Sequence, residues 1–170
     1  MKRKSIKNIA VAAIFTAVIA ASAWISVFTP FGINLTLQLF AVCLASFCLG
    51  VRWSVASVAA YIAIGATGLP VFSSFSGGFG VLFGVSGGFL WGFLLTAVLC
   101  GVSKHIEKKP IKIILMILSV LLCHTIGIVQ YCIVSGNGFW AGFLSASLPF
   151  LAKDLILVFL ASFISKRIKI

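Results

Sequence analysis

The sequence predicts an all-α integral membrane protein with six transmembrane helices and with its N- and C-termini in the cytoplasm. Three observations support this fold class. Apolar residues make up 62% of the 170 positions and charged residues only 9%, whereas a soluble domain has about 25% charged residues. The apolar residues form blocks long enough to cross a bilayer. The basic residues lie between these blocks and on one side of them only.

The six spans follow from the length of the apolar blocks. A transmembrane helix needs about 20 predominantly apolar residues. A length of 170 residues is that of one domain, so residues 1–170 are predicted to form a single transmembrane domain. The second and third spans are short and are separated only by Arg52, so a five-span alternative would fuse or lose one of them. The predicted spans cover residues 9–28, 35–50, 53–68, 79–101, 111–134 and 148–165.

The distribution of basic residues favours six spans over five. With the N-terminus inside, all of the 13 basic residues except Lys153 fall in the two terminal segments, the turn at 50–53 and the loop at 101–112. The loops near 29–34, 69–78 and 135–147 contain no basic residue. Because Lys and Arg are enriched in cytoplasmic loops, the second set of loops is predicted to face outward. These loops are rich in glycine and serine, and they are expected to act either as a lid or as plain connectors.

Polar side chains gather in the outer half of four predicted spans. Asp154 is the only acidic residue within a span, and it lies next to Lys153. Because charges inside a bilayer are costly and often functional, the pattern predicts a polar pocket open to the outside. Contacts that merely join helices are the alternative, as are an Asp154–Lys153 ion pair, an interfacial role for Tyr61 and a packing role for His124. The predicted pocket residues of this set are Asn34, Thr36, Gln38, Tyr61, Tyr131, Lys153 and Asp154.

Several function classes are excluded by missing motifs. The chain has no phosphate-binding GxxxxGK[ST] loop, no HExxH motif, no CxxC pair and no paired carboxylates. The five cysteines all lie in apolar stretches, where they are expected to pack. The sequence therefore predicts neither an enzyme nor a metal or cofactor site, and it favours a binding subunit that is powered by other proteins.

A stripe of small residues on the first span indicates a helical partner. Ala13, Ala17 and Ala21 recur every four residues, and small residues on one face let another helix approach closely. The partner is either another protein or a helix of this same chain.

Five short motifs carry a resemblance to a known family. They are TLQ at 36–38, GATGLPVF at 65–72, SGG at 76–78, GVSGGFLWGF at 84–93 and PFLAKD at 149–154. In this order and spacing, the chain resembles the biotin-specific substrate-binding subunits of bacterial energy-coupling factor transporters, the BioY family. Each motif is weak alone, but together they are specific.

The resemblance implies high-affinity capture and uptake of biotin through an outward-facing pocket in a multi-pass protein of the bacterial cell membrane. It implies a coupling transmembrane subunit and two ATPase subunits as partners, and family members can also assemble with themselves. The Ala13, Ala17 and Ala21 stripe is then the contact with the coupling subunit. Two other functions stay open, namely uptake of a different small vitamin or cofactor precursor and a membrane scaffold without a ligand. The further pocket residues expected from the motifs and from the loop at 69–78 are Phe72, Phe75, Phe79, Gly77, Gly78, Gly87 and Gly88.

The last motif departs from the family pattern. Family members usually have Pro-Gly just before the aspartate and a lysine three residues after it, whereas this chain has Ala152, Lys153 and Leu157. Residues 153 and 157 lie one helical turn apart and share a face. Lys153 is therefore expected to reach the same pocket from about 6 Å nearer the outside.

Overall fold

The computed structural model describes residues 2–29 and 33–168, with side chains from residue 5 onward. Pro30, Phe31 and Gly32 of the predicted outer loop, and the basic residue Lys169, lie outside the described residues. Within the described ranges the chain folds into eight α-helices, which confirms the predicted all-α class. The helices are α1 Lys2–Trp24, α2 Gln38–Leu49, α3 Val51–Ala66, α4 Phe79–Phe83, α5 Gly87–Ser103, α6 Lys109–Ser135, α7 Phe139–Ala146 and α8 Leu148–Ser165.

Six of these helices correspond to the predicted spans. Three of them are long and apolar enough to cross a membrane, at Ser5–Trp24, Lys109–Ser135 and Leu148–Ser165. The other three, α2, α3 and α5, are shorter apolar helices. The 12 residues of α2 rise only about 18 Å, which is less than the roughly 30 Å of a hydrocarbon core. The six-span count therefore stays a prediction.

Three segments differ from the prediction, and in the first of them a side chain satisfies backbone carbonyls that leave a helix. The predicted span at 79–101 is divided into α4 and α5, and the Gln130 amide donates to the carbonyls of Leu82 at 2.8 Å and Gly84 at 2.9 Å. The first helix ends at Trp24, and strand β1 (Ser26–Val27) pairs antiparallel with strand β2 (Leu35–Thr36). The predicted loop at 135–147 also contains the short helix α7.

Basic side chains of the predicted inner loop at 101–112, Lys104 and Lys112, lie at one end of the helix bundle. Gly50 joins α2 to α3 with a φ of 76°, which favours glycine, and an added Cβ would lie 3.3 Å from the His105 ring. Lys104 Nζ donates to the Cys48 carbonyl at 2.7 Å, and the Lys112 ammonium lies 5.7 Å from the centre of the Phe47 ring. These contacts bring the α2–α3 turn, the end of α5 and the start of α6 together, as the predicted inner loops require.

Small residues let the central helices pack closely. An added Cβ at Gly92 on α5 would come within 2.8 Å of Cys123 Sγ on α6. Cys43, Cys100 and Cys123 are buried in the core, and all five cysteines are free, as expected for packing residues. In the resulting core, α5 and α6 pack against each other as a pair. Helices α2 and α8 pack against this pair and contribute polar residues.

Candidate functional site

A cavity lies at the end of the bundle opposite Gly50, between the starts of α2 and α8. Its volume is about 60 Å³, and it opens into a mouth, giving about 640 Å³ of empty space in all. We call it the Asp154 cavity. Its polar lining consists of Asn34, Thr36, Gln38, Ser73, Ser86, Cys123, His124, Lys153 and Asp154, and its apolar lining of Ile33, Leu39, Phe72, Val81, Phe89, Leu90, Phe93 and Phe150.

Asp154 is the acidic centre of this cavity and is only 6% exposed. Lys153 Nζ lies 2.8 Å from Asp154 Oδ1, so the ion pair considered from the sequence is present. His124 Nε2 lies 3.1 Å from the other oxygen, Oδ2. Lys153 also donates to the Thr36 carbonyl at 2.5 Å. The carboxylate is thus held from α6 and α8, and the lysine ties α8 to β2.

Two buried acceptor atoms at the cavity have no hydrogen-bond donor among the described residues. They are Asn34 Oδ1 and Asp154 Oδ1. The Lys153 ammonium is close to Asp154 Oδ1, but the angles fall outside hydrogen-bond geometry, which requires alignment as well as proximity. Buried polar atoms are nearly always paired. The cavity therefore offers two acceptors to a ligand that carries N–H or O–H donors.

Gln38 connects the cavity to a second layer of polar groups. Its Nε2 donates to the Tyr61 hydroxyl at 2.6 Å, and its Oε1 accepts from Thr36 Oγ1 at 3.1 Å. Tyr61 is fully buried and lies behind Gln38, so it is not an interfacial residue and does not line the cavity. Its effect on a ligand would pass through Gln38.

The loop at 69–78 covers one side of the cavity and is fastened to its surroundings. Phe72 is buried, lines the cavity and meets Tyr61 edge to face, with 5.4 Å between ring centres. Trp24 Nε1 donates to the Pro70 carbonyl at 2.9 Å, and Asn34 Nδ2 donates to Ser74 Oγ at 2.6 Å. Ser74 has a φ of 55°, an uncommon conformation for a residue other than glycine, and the Asn34 contact holds it there.

Besides Tyr61, seven predicted site residues lie away from the cavity lining. Phe75 and Phe79 are each 64% exposed, and Phe75 stacks on Trp24. Tyr131 is buried in a separate cluster with Ile33 and Phe150. Three of the four glycines serve close backbone approaches, as at position 77, where an added Cβ would lie 2.3 Å from the Leu69 carbonyl. Gly78 has no neighbour within 4 Å of an added Cβ, and its φ of 100° favours glycine instead. Roles for these residues in binding stay predictions: Phe75, Phe79, Gly77, Gly78, Gly87, Gly88 and Tyr131.

Gly87 and Gly88 allow the start of α5 to lie against α6. An added Cβ at Gly87 would be 2.0 Å from the Leu82 carbonyl and 2.5 Å from Gln130 Nε2. At Gly88 it would be 2.6 Å from the Ile126 carbonyl. These glycines therefore place the cavity wall, including neighbouring Phe89, without touching the cavity themselves.

Sequence reasoning missed several groups around Asp154. His124 was expected to pack, and both its ring nitrogens do have partners, but it also lines the cavity. Ser147, the partner of His124 Nδ1 at 2.8 Å, lies seven residues before Asp154. A spacing of seven places two residues on one helix face, so this signal was present. Phe89, Phe93 and Phe150 form the aromatic wall and lie within the motifs at 84–93 and 149–154, but they were not singled out, because residue order alone does not show which aromatic ring faces a cavity.

A groove of about 500 Å³ on the outside of α1 and α3 contains the predicted small-residue stripe. Ala13, Ala17 and Ala21 are exposed along it, as a contact with another chain requires. Tyr61 forms part of its lining from α3. We call this feature the α1–α3 groove, and its other lining residues are Thr16, Ala20, Trp24, Ile64 and Val71.

Comparisons with known proteins agree with this architecture. A model of the BioY family matches residues 1–170. The biotin transporter BioY of Thermotoga maritima is 48% identical over 99 residues, which cover 58% of this chain and only 56% of that protein. The probable biotin transporter BioY of Pyrococcus horikoshii is 29% identical over 163 residues, covering 96% of each chain. The crystal structure of the S-component for biotin from an ECF-type ABC transporter superposes with a TM-score of 0.87 at 25% identity, covering 98% of this chain and 93% of that one.

Proposed function

We propose, from the premise that the chain belongs to the BioY family, that it captures biotin for uptake as the substrate-binding component of an energy-coupling factor transporter. The chain is a membrane transport component rather than an enzyme, as its relatives named biotin transporter indicate. We further propose that residues 1–170 form a single domain, a multi-pass protein of the cell membrane with six spans.

The pair of unpartnered acceptors, Asn34 Oδ1 and Asp154 Oδ1, is the observation that carries this proposal. The ureido ring of biotin presents two N–H donors, and its bicycle and side chain are otherwise mainly apolar. Phe72, Phe89 and Phe150 provide apolar walls for these parts. A membrane scaffold without a ligand gives no reason to place these two acceptors, one of them on a carboxylate, at a cavity with aromatic walls.

Lys153 is the group suited to an anionic or carbonyl oxygen of the ligand. An ammonium has three donors, and one of them is engaged by the Thr36 carbonyl while Asp154 Oδ1 lies close to another. The remaining donor would bind the biotin carboxylate or its ureido carbonyl. Gln38 and Thr36 line the same cavity and supply neutral hydrogen bonds.

The α1–α3 groove is the proposed contact with the coupling membrane subunit, which would connect the chain to two ATPase subunits. Small exposed side chains at Ala13, Ala17 and Ala21 suit close packing of a helix in a bilayer, where dispersion contacts rather than water exclusion drive association. Assembly of the chain with itself is a further proposal on the same grounds of family membership.

Isothermal titration of the purified chain with biotin tests the proposed function. Wild type should bind, and Asp154→Asn should weaken binding about 10–100-fold, because a charged hydrogen-bonding group in a buried site contributes about 1.5–3 kcal/mol. Glu107→Gln is the matched control. Glu107 is the only other acidic residue of the sequence, and it is exposed and lies outside the cavity lining. Absence of biotin binding by folded wild type would refute biotin as the substrate, whereas unfolding of Asp154→Asn would indicate a structural role for the aspartate.

A further inference from the structure

We propose that His124 and Ser147 are positioning residues that hold the Asp154 carboxylate in the orientation needed for ligand binding. The inference rests on the proposed function, because it concerns how the same cavity recognises an N–H-bearing ligand. It adds a relay of three side chains, Ser147–His124–Asp154, of which His124 and Ser147 lie outside the five motifs that carried the resemblance.

The relay bridges two helices. His124 lies on α6, while Ser147 stands at the junction of α7 and α8 and Asp154 lies two turns along α8. The distances are 2.8 Å from Ser147 Oγ to His124 Nδ1 and 3.1 Å from His124 Nε2 to Asp154 Oδ2. Seven residues turn an α-helix almost twice, so Ser147 and Asp154 face α6 together and one imidazole spans them.

The chemistry of the three side chains determines which atom donates and which atom accepts in each hydrogen bond of the relay. An ionised carboxylate only accepts hydrogen bonds, so the proton of a neutral His124 belongs on Nε2, where it is donated to Asp154 Oδ2. His124 Nδ1 is then an acceptor, and the Ser147 hydroxyl donates a hydrogen bond to it. This tautomer is assigned from the network, and it satisfies both ring nitrogens.

The surroundings allow little freedom to the imidazole. His124 is 3% exposed and Ser147 is fully buried. The Phe89 ring stands edge to face against His124, with 5.7 Å between ring centres. The Ser147 carbonyl accepts from the amides of Phe150 and Leu151, so the serine is fixed by the first turn of α8. Such support of a binding group by a second layer is how sites keep their geometry.

The consequence concerns the two oxygens of Asp154. His124 engages Oδ2, which leaves Oδ1, the atom without a hydrogen bond, to Lys153 and the ligand. Without the imidazole, the carboxylate is free to rotate and give both oxygens to the adjacent Lys153 ammonium. The acceptor would then be withdrawn from the ligand while the fold stays intact.

Two substitutions of His124 separate positioning from packing. In His124→Gln the amide nitrogen reaches about as far as Nε2 and can still donate to Asp154, whereas in His124→Asn the shorter side chain reaches only the Nδ1 position. By titration with biotin, we expect His124→Asn to bind about tenfold more weakly or worse and His124→Gln to stay within about threefold of wild type. Thr125→Val is the control, because this exposed hydroxyl bonds only the Leu121 carbonyl of its own helix.

A double-mutant cycle gives the decisive readout. If His124 acts through Asp154, His124→Asn should cost little further affinity in an Asp154→Asn background. Additive losses, or equal losses for Asn and Gln with lowered thermal stability, would overturn the positioning role while leaving biotin binding by wild type intact. If the Asp154→Asn background binds too weakly to measure, the difference between Gln and Asn decides. Wild type that fails to bind biotin would overturn both proposals.

Discussion

Gln38 Nε2 donates to the Tyr61 hydroxyl at 2.6 Å, and this hydrogen bond joins the Asp154 cavity to the α1–α3 groove. Gln38 lines the cavity and Tyr61 lines the groove. Both residues are buried. The side chain that would meet biotin is therefore held by a buried residue that lies directly beneath the surface proposed for the coupling subunit.

Tyr61→Phe should weaken biotin binding about 2–10-fold, because Gln38 loses its acceptor while the ring and its packing on Phe72 are kept. Isothermal titration measures this effect. Thr67→Val is the control, since its exposed hydroxyl at the end of the same helix bonds only the Ile64 carbonyl. Wild-type affinity in Tyr61→Phe would show that Gln38 does not depend on this bond.

Lys153→Ala should weaken biotin more than biotin amide, because only the free carboxylate needs the ammonium. Lys153 also neutralises Asp154, so the ratio of the two affinities is more informative than either alone. The second change Leu157→Lys should recover much of the loss, since residue 157 lies one turn further along the same helix. Equal affinity of Lys153→Ala and wild type for biotin would mean that recognition uses Asp154 with neutral donors.

Ala13→Trp or Ala17→Trp should abolish biotin uptake in cells while biotin binding by the purified chain stays near wild type. An indole would fill part of the α1–α3 groove and block a close helix approach. Ile14→Trp is the matched control, because Ile14 is exposed on α1 and does not line the groove. Full uptake by both alanine variants would exclude the groove as the coupling contact, and lost binding would place the stripe in the internal packing.

Residues 69–78 should face outward and residues 101–112 inward. In a cysteine-free background, a membrane-impermeant maleimide should label Leu69→Cys in intact cells and Glu107→Cys only after permeabilisation. Both positions are exposed. The expectation rests on the loops near 29–34, 69–78 and 135–147, which contain no basic residue. Labelling of position 107 from outside intact cells would contradict it.

The sequence predicted five of the polar residues that line the cavity, but it did not predict the residues that hold them in place. Asn34, Thr36, Gln38, Lys153 and Asp154 all line the cavity, because a polar residue in an apolar span stands out by its cost alone. His124 also stood out, but its role depends on Ser147 and Asp154 of another helix. No local pattern states which helix packs against α6, so the relay became visible only in the folded chain.

Sequence patterns predicted the positions of glycines and phenylalanines relative to the cavity less well than those of the polar residues. Gly87 and Gly88 belong to a motif that pointed to a ligand, and the structure shows that they allow close approaches to the Leu82 and Ile126 carbonyls. Phe72 turns into the cavity while Phe75, three residues later, stacks on Trp24 outside it. The left-handed backbone at Ser74 and Phe75 separates their directions, and nothing in the residue order of the loop specifies it.

The sequence by itself determined the membrane class, the family and the end of the bundle at which polar groups gather, because these depend on composition, motif order and the cost of charge in an apolar block. Only the tertiary structure decided that Asp154 shares its oxygens between His124 and Lys153, and that Tyr61 joins the cavity to the α1–α3 groove. Hydrogen bonds need distances near 3 Å and defined angles. Residues 30 positions apart, such as His124 and Asp154, meet that condition only through the packing of α6 against α8.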